Sequence, residues 1–151
     1  MLVPDLGGGP DRVKLLDFGI AKLDTQHLNL DDPQTRTGVL MGTPYYMSPE
    51  QCYGKSLDGK ADVYSLGCLI YELLVGELPF TETDAAKLMM EQINAPPPPL
   101  APRLPGLPPA VEQLVMSMLA KQPAARPDML TVSGRIDELE RSGLFRTATA
   151  S

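Results

Sequence analysis

Residues 42–50 read GTPYYMSPE, and this stretch says more about the fold than any other part of the chain. Upstream of it, residues 17–19 read DFG and follow the short apolar run at residues 13–16. Downstream, residues 62–67 read DVYSLG, and Arg126 stands between alanine and proline. Each string alone recurs by chance, but their order and spacing together form a specific signature.

The composition is that of an ordinary globular domain with an acidic balance. The chain has 151 residues, of which 43% are hydrophobic and 21% charged, and this length suffices for one real core. Thirteen basic residues against 19 acidic ones give a net charge of −6, which argues against nucleic acid or an anionic membrane as partner. Cys52 and Cys68 are too few for a disulfide framework, and no apolar run approaches the ~20 residues of a spanning helix. We therefore expect a reduced, cytoplasmic protein.

The pattern of apolar and turn residues predicts a mainly α fold that opens with a short β-hairpin. Residues 1–17 pair two apolar stretches around a glycine and proline cluster, which is typical of a hairpin. Residues 20–40 are polar and rich in turn formers, and a loop of this length is usually functional or disordered. Apolar spacing then predicts four helices, the first of them buried and central, with Asp62 at its start and Gly76 at its end. Their predicted bounds are 62–76, 83–93, 111–120 and 129–141, followed by a frayed tail.

Residues 96–109 form a proline-rich connector that cannot be helical throughout. Such a segment can serve as a PxxP ligand for another domain, or as a stiff link between two helices, and the link is the simpler interpretation. His27 is the single histidine of the chain. With no second ligand at suitable spacing, it is expected to be a loop residue and not a metal ligand or catalytic base.

Taken together, these strings resemble protein serine/threonine kinases of the bacterial eukaryotic-like type, from the DFG motif to the end of the helical C-lobe. The resemblance covers residues 1–140 and implies a partial kinase domain of mainly α structure. It divides this domain into a β-hairpin with DFG, a long activation segment and a helical lobe, at residues 1–19, 20–50 and 51–140. Residues 141–151 remain as the tail.

The resemblance also implies a nucleotide site and an activation loop. Asp17 would hold the Mg²⁺ ion that bridges the phosphates of ATP, since a hard cation prefers carboxylate oxygen, and Leu16 would border the same nucleotide. Gly19 would allow the sharp turn after these residues. In the activation loop, Thr35 and Thr37 stand where relatives carry activating phosphates, or they are ordinary loop hydroxyls.

Four further residues match positions that shape the lobe. Thr43 matches the threonine that accompanies serine/threonine specificity beside the substrate-binding segment. Glu50 matches the glutamate of the APE motif and is expected to form a buried, bidentate pair with Arg126. Asp62 matches the aspartate that braces the catalytic loop, so here it is expected to be a helix cap near solvent or an unsatisfied acid.

Only sixteen residues precede Asp17, so this chain is expected to lack the glycine-rich loop, the β3 lysine, the αC glutamate and the catalytic loop. Phosphoryl transfer requires these parts together, and we expect the isolated chain to be inactive. Three interpretations stay open. The chain is part of a kinase that phosphorylates protein serine or threonine in signal transduction, a non-catalytic pseudokinase-like binding module, or one half of an enzyme completed by a separate N-lobe. Its expected partners are a protein substrate or that N-lobe.

Overall fold

The structure is a computed structural model, and it describes residues 44–143. The predicted β-hairpin and the loop at residues 20–40 lie outside the described residues, as does most of the predicted tail. Within the described part the chain forms five α-helices and two 3-10 turns without a strand, so the prediction of a mainly α fold is confirmed there. The helices are α1 (Pro49–Cys52), α2 (Gly59–Val75), α3 (Ala85–Asn94), α4 (Pro109–Met118) and α5 (Met129–Arg141), and the turns are Pro44–Tyr46 and Pro123–Ala125.

The central helix α2 begins earlier than the sequence pattern predicted. Its N-cap is Asp58, whose carboxylate accepts a hydrogen bond of 2.9 Å from the backbone N–H of Lys60. Asp62, predicted to start this helix, instead lies in its first turn with an exposed side chain. Acidic residues favour both the cap and the first turn of a helix, so Asp62 alone could not place the boundary. The predicted end is confirmed, because Gly76 adopts the left-handed conformation (φ 81°) that favours glycine.

Helix α2 carries two apolar clusters that form the core. Val63 packs with side chains of α4 and α5, while Tyr64, Cys68 and Tyr71 pack with side chains of α4 and of the connector before it. At Gly67 a Cβ would lie 3.0 Å from the Cβ of Met118, so glycine permits the close approach of α2 and α4. The prediction of a buried central helix is confirmed on these faces.

The three later helices depart from their predicted bounds by small amounts. Asp84 caps α3, so this helix starts at Ala85 and not at residue 83. Helix α4 starts at Pro109 because proline fits the first helical position, where no backbone N–H is required. It ends at Met118, two residues before its predicted end. Helix α5 has the predicted bounds, with Asp128 as its N-cap.

The proline-rich connector is folded onto the lobe. Leu100 is fully buried in the second apolar cluster, and the carboxylate of Glu112 accepts hydrogen bonds from the backbone N–H groups of Leu100 and Ala101 at 2.8 and 2.9 Å. Arg103 forms an ion pair with Glu77 at 3.1 Å. These contacts favour the stiff link over the exposed PxxP ligand. None of the helices at residues 44–143 is long and apolar enough to cross a membrane.

Candidate functional site

Three of the predicted site residues lie in the described part of the chain. The structure brings Glu50 and Arg126 together, whereas Asp62 is exposed at the start of α2. The remaining predicted residues, of the nucleotide site and the activation segment, lie outside the described residues and stay predictions: Leu16, Asp17, Gly19, Thr35, Thr37 and Thr43.

The described part of the GTPYYMSPE stretch, residues 44–50, is called here the 44–50 segment. It consists of the first 3-10 turn and the start of α1. Ser48 is the N-cap of α1 and forms a capping box with Gln51, in which the backbone N–H of Ser48 donates to the Gln51 side chain at 2.7 Å. Pro49 occupies the first helical position. The string S-P-E-Q is a recognised start signal for a helix, and it could have predicted α1, which the sequence analysis missed.

The far end of the 44–50 segment is fixed by a buried ion pair. Arg126 Nη1 and Nη2 donate to the two carboxylate oxygens of Glu50 at 2.6 and 2.8 Å. The other three N–H groups of the guanidinium donate to the backbone carbonyls of Ala120, Lys60 and Lys121 at 2.7, 2.8 and 3.0 Å. All five donors of Arg126 therefore have partners. A buried charge needs this complete pairing, because unpaired charge in a protein interior is costly.

The electrostatic balance at Glu50 follows from the same contacts. Burial alone would raise the pKa of its carboxyl, but the hydrogen bonds from Arg126 and from the backbone outweigh burial and hold the pKa below the usual 4.5. The guanidinium of Arg126 also lies 4.9 Å from the centre of the Tyr64 ring, within the range of a cation–π contact. Glu50 is therefore ionised at neutral pH and held to the lobe.

The near end of the 44–50 segment is fixed by Gln92, a residue that the sequence analysis did not single out. Its side-chain Nε2 donates to the carbonyls of Pro44 and Tyr45 at 3.2 and 2.8 Å. Its Oε1 accepts a 2.6 Å hydrogen bond from the hydroxyl of Tyr64, and Gln92 itself is fully buried. Gln92 follows Leu88 by one helical turn on the buried face of α3. A polar residue at a position where the helix pattern calls for an apolar one was the available signal.

Lys121 stabilises the contact between Gln92 and Tyr64. Its Nζ donates to the Tyr64 hydroxyl at 3.1 Å and to the backbone carbonyls of Glu91 and Gln92 at 3.3 and 2.8 Å. A cation here caps the C-terminal turn of α3, where unpaired carbonyls and the helix dipole favour positive charge. The amine also lies 4.2 Å from the centre of the Phe80 ring. Burial lowers the pKa of Lys121 to about 8.

The middle of the 44–50 segment is held at Tyr46. Its carbonyl accepts a hydrogen bond of 2.7 Å from the Ser65 hydroxyl, and its own hydroxyl donates to Glu72 at 2.5 Å. Burial, followed by the contact with Glu72, raises the pKa of Tyr46 to about 12. The side chain nevertheless stays 36% exposed. The segment is therefore held at three points and still presents part of its surface to solvent.

The arrangement can present a rigid backbone surface. Residues 44–143 contain no group of three histidine, cysteine or acidic side chains placed to hold a metal ion. Cys68 is buried and Cys52 is partly buried, and both are free thiols. Burial raises the pKa of Cys52 to about 11, which disfavours the nucleophilic thiolate at neutral pH.

A comparison with protein families identifies the class. The family described as the protein kinase domain matches residues 6–134. This match covers most of the chain, and the chain belongs to the protein kinase family.

Similar individual proteins are bacterial serine/threonine-protein kinases. Serine/threonine-protein kinase Pkn1 of Myxococcus xanthus is 46% identical over 120 residues, which are 79% of this chain and 17% of Pkn1. Serine/threonine-protein kinase PknA of Mycobacterium tuberculosis is 44% identical over 116 residues, which are 76% of this chain and 25% of PknA. Serine/threonine-protein kinase PknJ of Mycobacterium bovis is 35% identical over 150 residues, or 98% of this chain and 24% of PknJ. The chain thus spans a quarter or less of the length of these relatives.

Proposed function

We propose that this chain forms the helical, substrate-docking lobe of a serine/threonine protein kinase. The observation that best supports the proposal is the way the 44–50 segment is anchored, because this stretch corresponds to the family segment beside which the protein substrate binds. Glu50 and Arg126 hold one end and Gln92 holds the other. A docking surface gains affinity when it is ordered before the partner arrives, since no ordering entropy is then lost on binding.

In this proposal the chemistry of phosphate transfer lies outside residues 44–143. The protein kinase family generally uses ATP and Mg²⁺, and Asp17 would provide the carboxylate for the metal while Leu16 borders the nucleotide. Phosphate on Thr35 or Thr37 would add negative charge to the activation segment. Thr43 would direct the lobe toward serine and threonine acceptors. The acceptor is a protein, and the two free cysteines support a reducing compartment such as the cytoplasm.

A hybrid protein tests the proposal. Residues 17–140 of this chain replace the corresponding part of the serine/threonine-protein kinase Pkn1, and the remainder of Pkn1 is kept. We expect the hybrid to incorporate phosphate from radiolabelled Mg·ATP into a protein acceptor, and Asp17→Ala to abolish the incorporation. The isolated 151-residue chain is the control and should incorporate none. A folded hybrid without activity would contradict the proposal, and so would label in the isolated chain that disappears in Asp17→Ala.

A second candidate is a non-catalytic binding module. It is favoured by the fact that side chains of the helical lobe bind both ends and the middle of the 44–50 segment: Gln92, Arg126 and Ser65. A lobe of this kind can present its surface without nucleotide. The hybrid discriminates between the two candidates. A lobe that serves only as a binding module would fold in the hybrid without restoring phosphate transfer.

A further inference from the structure

We propose that Gln92 is a positioning residue that sets the backbone of the 44–50 segment through its side-chain amide. This inference rests on the proposed function, since the segment is taken to be the substrate-docking surface. Gln92 lies on α3, more than 40 residues along the chain from Pro44 and Tyr45, the residues whose carbonyls it binds. It therefore ties the docking surface to an element that belongs to neither the activation segment nor the central helix.

The surrounding groups determine the orientation of the Gln92 amide. Two carbonyl oxygens, of Pro44 and Tyr45, face one end of the side chain, and only an NH₂ group can donate to both. The other end faces the hydroxyl of Tyr64. The flipped amide would set its oxygen against two carbonyl oxygens, so the hydrogen-bond partners exclude it.

Lys121 determines which group donates in the hydrogen bond between Tyr64 and Gln92. An ammonium group can only donate, so the contact between Lys121 and the Tyr64 hydroxyl occupies a lone pair of that oxygen. The hydroxyl proton is then free to point at Oε1 of Gln92, 2.6 Å away. The result is a continuous chain of hydrogen bonds, in which Lys121 donates to Tyr64, Tyr64 donates to Gln92 and Gln92 donates to the backbone of the 44–50 segment. Each member of a buried chain of this kind strengthens its neighbour.

No other side chain of similar size can replace the glutamine. Glutamate could accept from Tyr64 but could not donate, and its charge would repel the carbonyls of Pro44 and Tyr45. Methionine matches the length and brings no charge, but it leaves the same carbonyls without their donor. One of these carbonyls, that of Pro44, also accepts the backbone N–H of Met47 at 3.2 Å. Loss of the amide should therefore loosen the turn locally while the rest of the lobe stays folded.

Hydrogen exchange of the 151-residue chain tests the inference. We expect Gln92→Glu and Gln92→Met to accelerate exchange at the Met47 and Ser48 amides by about tenfold or more, because both variants lose the two hydrogen bonds that Nε2 donates and the loss of one buried hydrogen bond already corresponds to about tenfold. Amides of α2 and α5 should keep their protection against exchange. Urea unfolding of each variant gives the global stability with which this protection is compared. Gln113→Glu is the matched control, because Gln113 lies exposed on α4 and receives the same charge change. Tyr64→Phe, which removes only the hydroxyl, should give a smaller acceleration at the same two amides.

A spectroscopic signature in the unmutated chain completes the test. The side-chain NH₂ protons of Gln92 should exchange slowly in nitrogen-edited spectra, whereas those of Gln113 should exchange at the rate of a solvated amide. The inference is overturned if the Gln92 NH₂ protons exchange as fast as those of Gln113, or if both Gln92 variants leave Met47 and Ser48 unchanged. It is also overturned if exchange rises equally in every helix, since Gln92 would then only stabilise the fold. These outcomes do not depend on phosphate transfer, so they are distinguishable from failure of the hybrid.

Discussion

Arg126 and Glu50 form a buried, bidentate ion pair, with an Nη1–Oε1 distance of 2.6 Å across 76 residues of sequence. The pair joins the start of α1 to the turn that precedes α5. Three backbone carbonyls complete the coordination of the guanidinium, so the ion pair also fixes the segment after α4 and the start of α2. Arg126 is therefore the common anchor of the 44–50 segment and the helical core.

Arg126→Ala should destabilise the lobe strongly. The variant leaves the Glu50 carboxylate buried without its partner, and breaking a buried pair in this way costs about 3–5 kcal/mol. Arg141→Ala is the control, because Arg141 is exposed in the last turn of α5. The midpoints of urea unfolding measure both effects. Equal midpoints for the two variants would contradict the anchor role of Arg126.

The same pair should make the lobe sensitive to acid. The pKa of Glu50 is held below its usual value of 4.5, so its contribution to stability is fully present above pH 4.5. This contribution is lost as the pH falls from 4.5 through the lower folded-state pKa, because the unfolded chain binds the proton more readily than the native state does. We expect the urea midpoint of the unmutated chain to fall between pH 5 and 3, and that of Glu50→Gln to start lower and fall less. Parallel pH profiles for the two proteins would contradict this assignment.

Cys68 should make the lobe sensitive to alkali. Burial raises the pKa of its thiol from 9.0 to about 12, so the unfolded chain ionises first as the pH rises. Stability from this group is complete below pH 9 and is lost between pH 9 and about 12. Tyr46 and Tyr64 have raised pKa values and act in the same direction, so the comparison with Cys68→Ala isolates the thiol. The variant should lose less stability between pH 8 and 10.5, and an equal loss would count against a buried thiol at this position.

Leu100 should anchor the proline-rich connector. It is fully buried, so Leu100→Ala should lower the free energy of unfolding by about 2–5 kcal/mol. Leu130→Ala is a matched control, because Leu130 is 84% exposed and the same atoms are removed without opening a cavity. Thermal or urea unfolding measures the difference. If both substitutions have the same small effect, the connector is not packed on the lobe.

Much of this lobe could be predicted from local patterns. The end of α2 at Gly76 and both bounds of α5 follow from residues whose conformational preferences act within one turn. The pairing of Glu50 with Arg126 could be predicted only because each residue stands in a recognisable sequence motif. Periodicity by itself says nothing about a contact across 76 residues.

What the sequence did not reveal depends on tertiary context. The start of α2 was misplaced because Asp58 and Asp62 are both acceptable near a helix N-terminus, and only the fold chooses between them. Gln92 was missed because its role needs Pro44, Tyr45 and Tyr64 around it, and these come from distant parts of the chain. The role of a buried polar side chain can be assigned only when its hydrogen-bond partners are known.

The central claim is that the 44–50 segment, held by this lobe, is the surface on which a kinase receives its protein substrate. The measurement that tests it most directly is steady-state kinetics of the hybrid with Pkn1, comparing Tyr46→Ala with Leu130→Ala. Tyr46 is the partly exposed side chain at the middle of the segment, whereas Leu130 lies at the start of α5. We predict that Tyr46→Ala raises KM for the protein acceptor about tenfold and leaves KM for ATP unchanged, and that Leu130→Ala changes neither. An unchanged KM for the acceptor in Tyr46→Ala, or an equal rise in both KM values, would contradict the account.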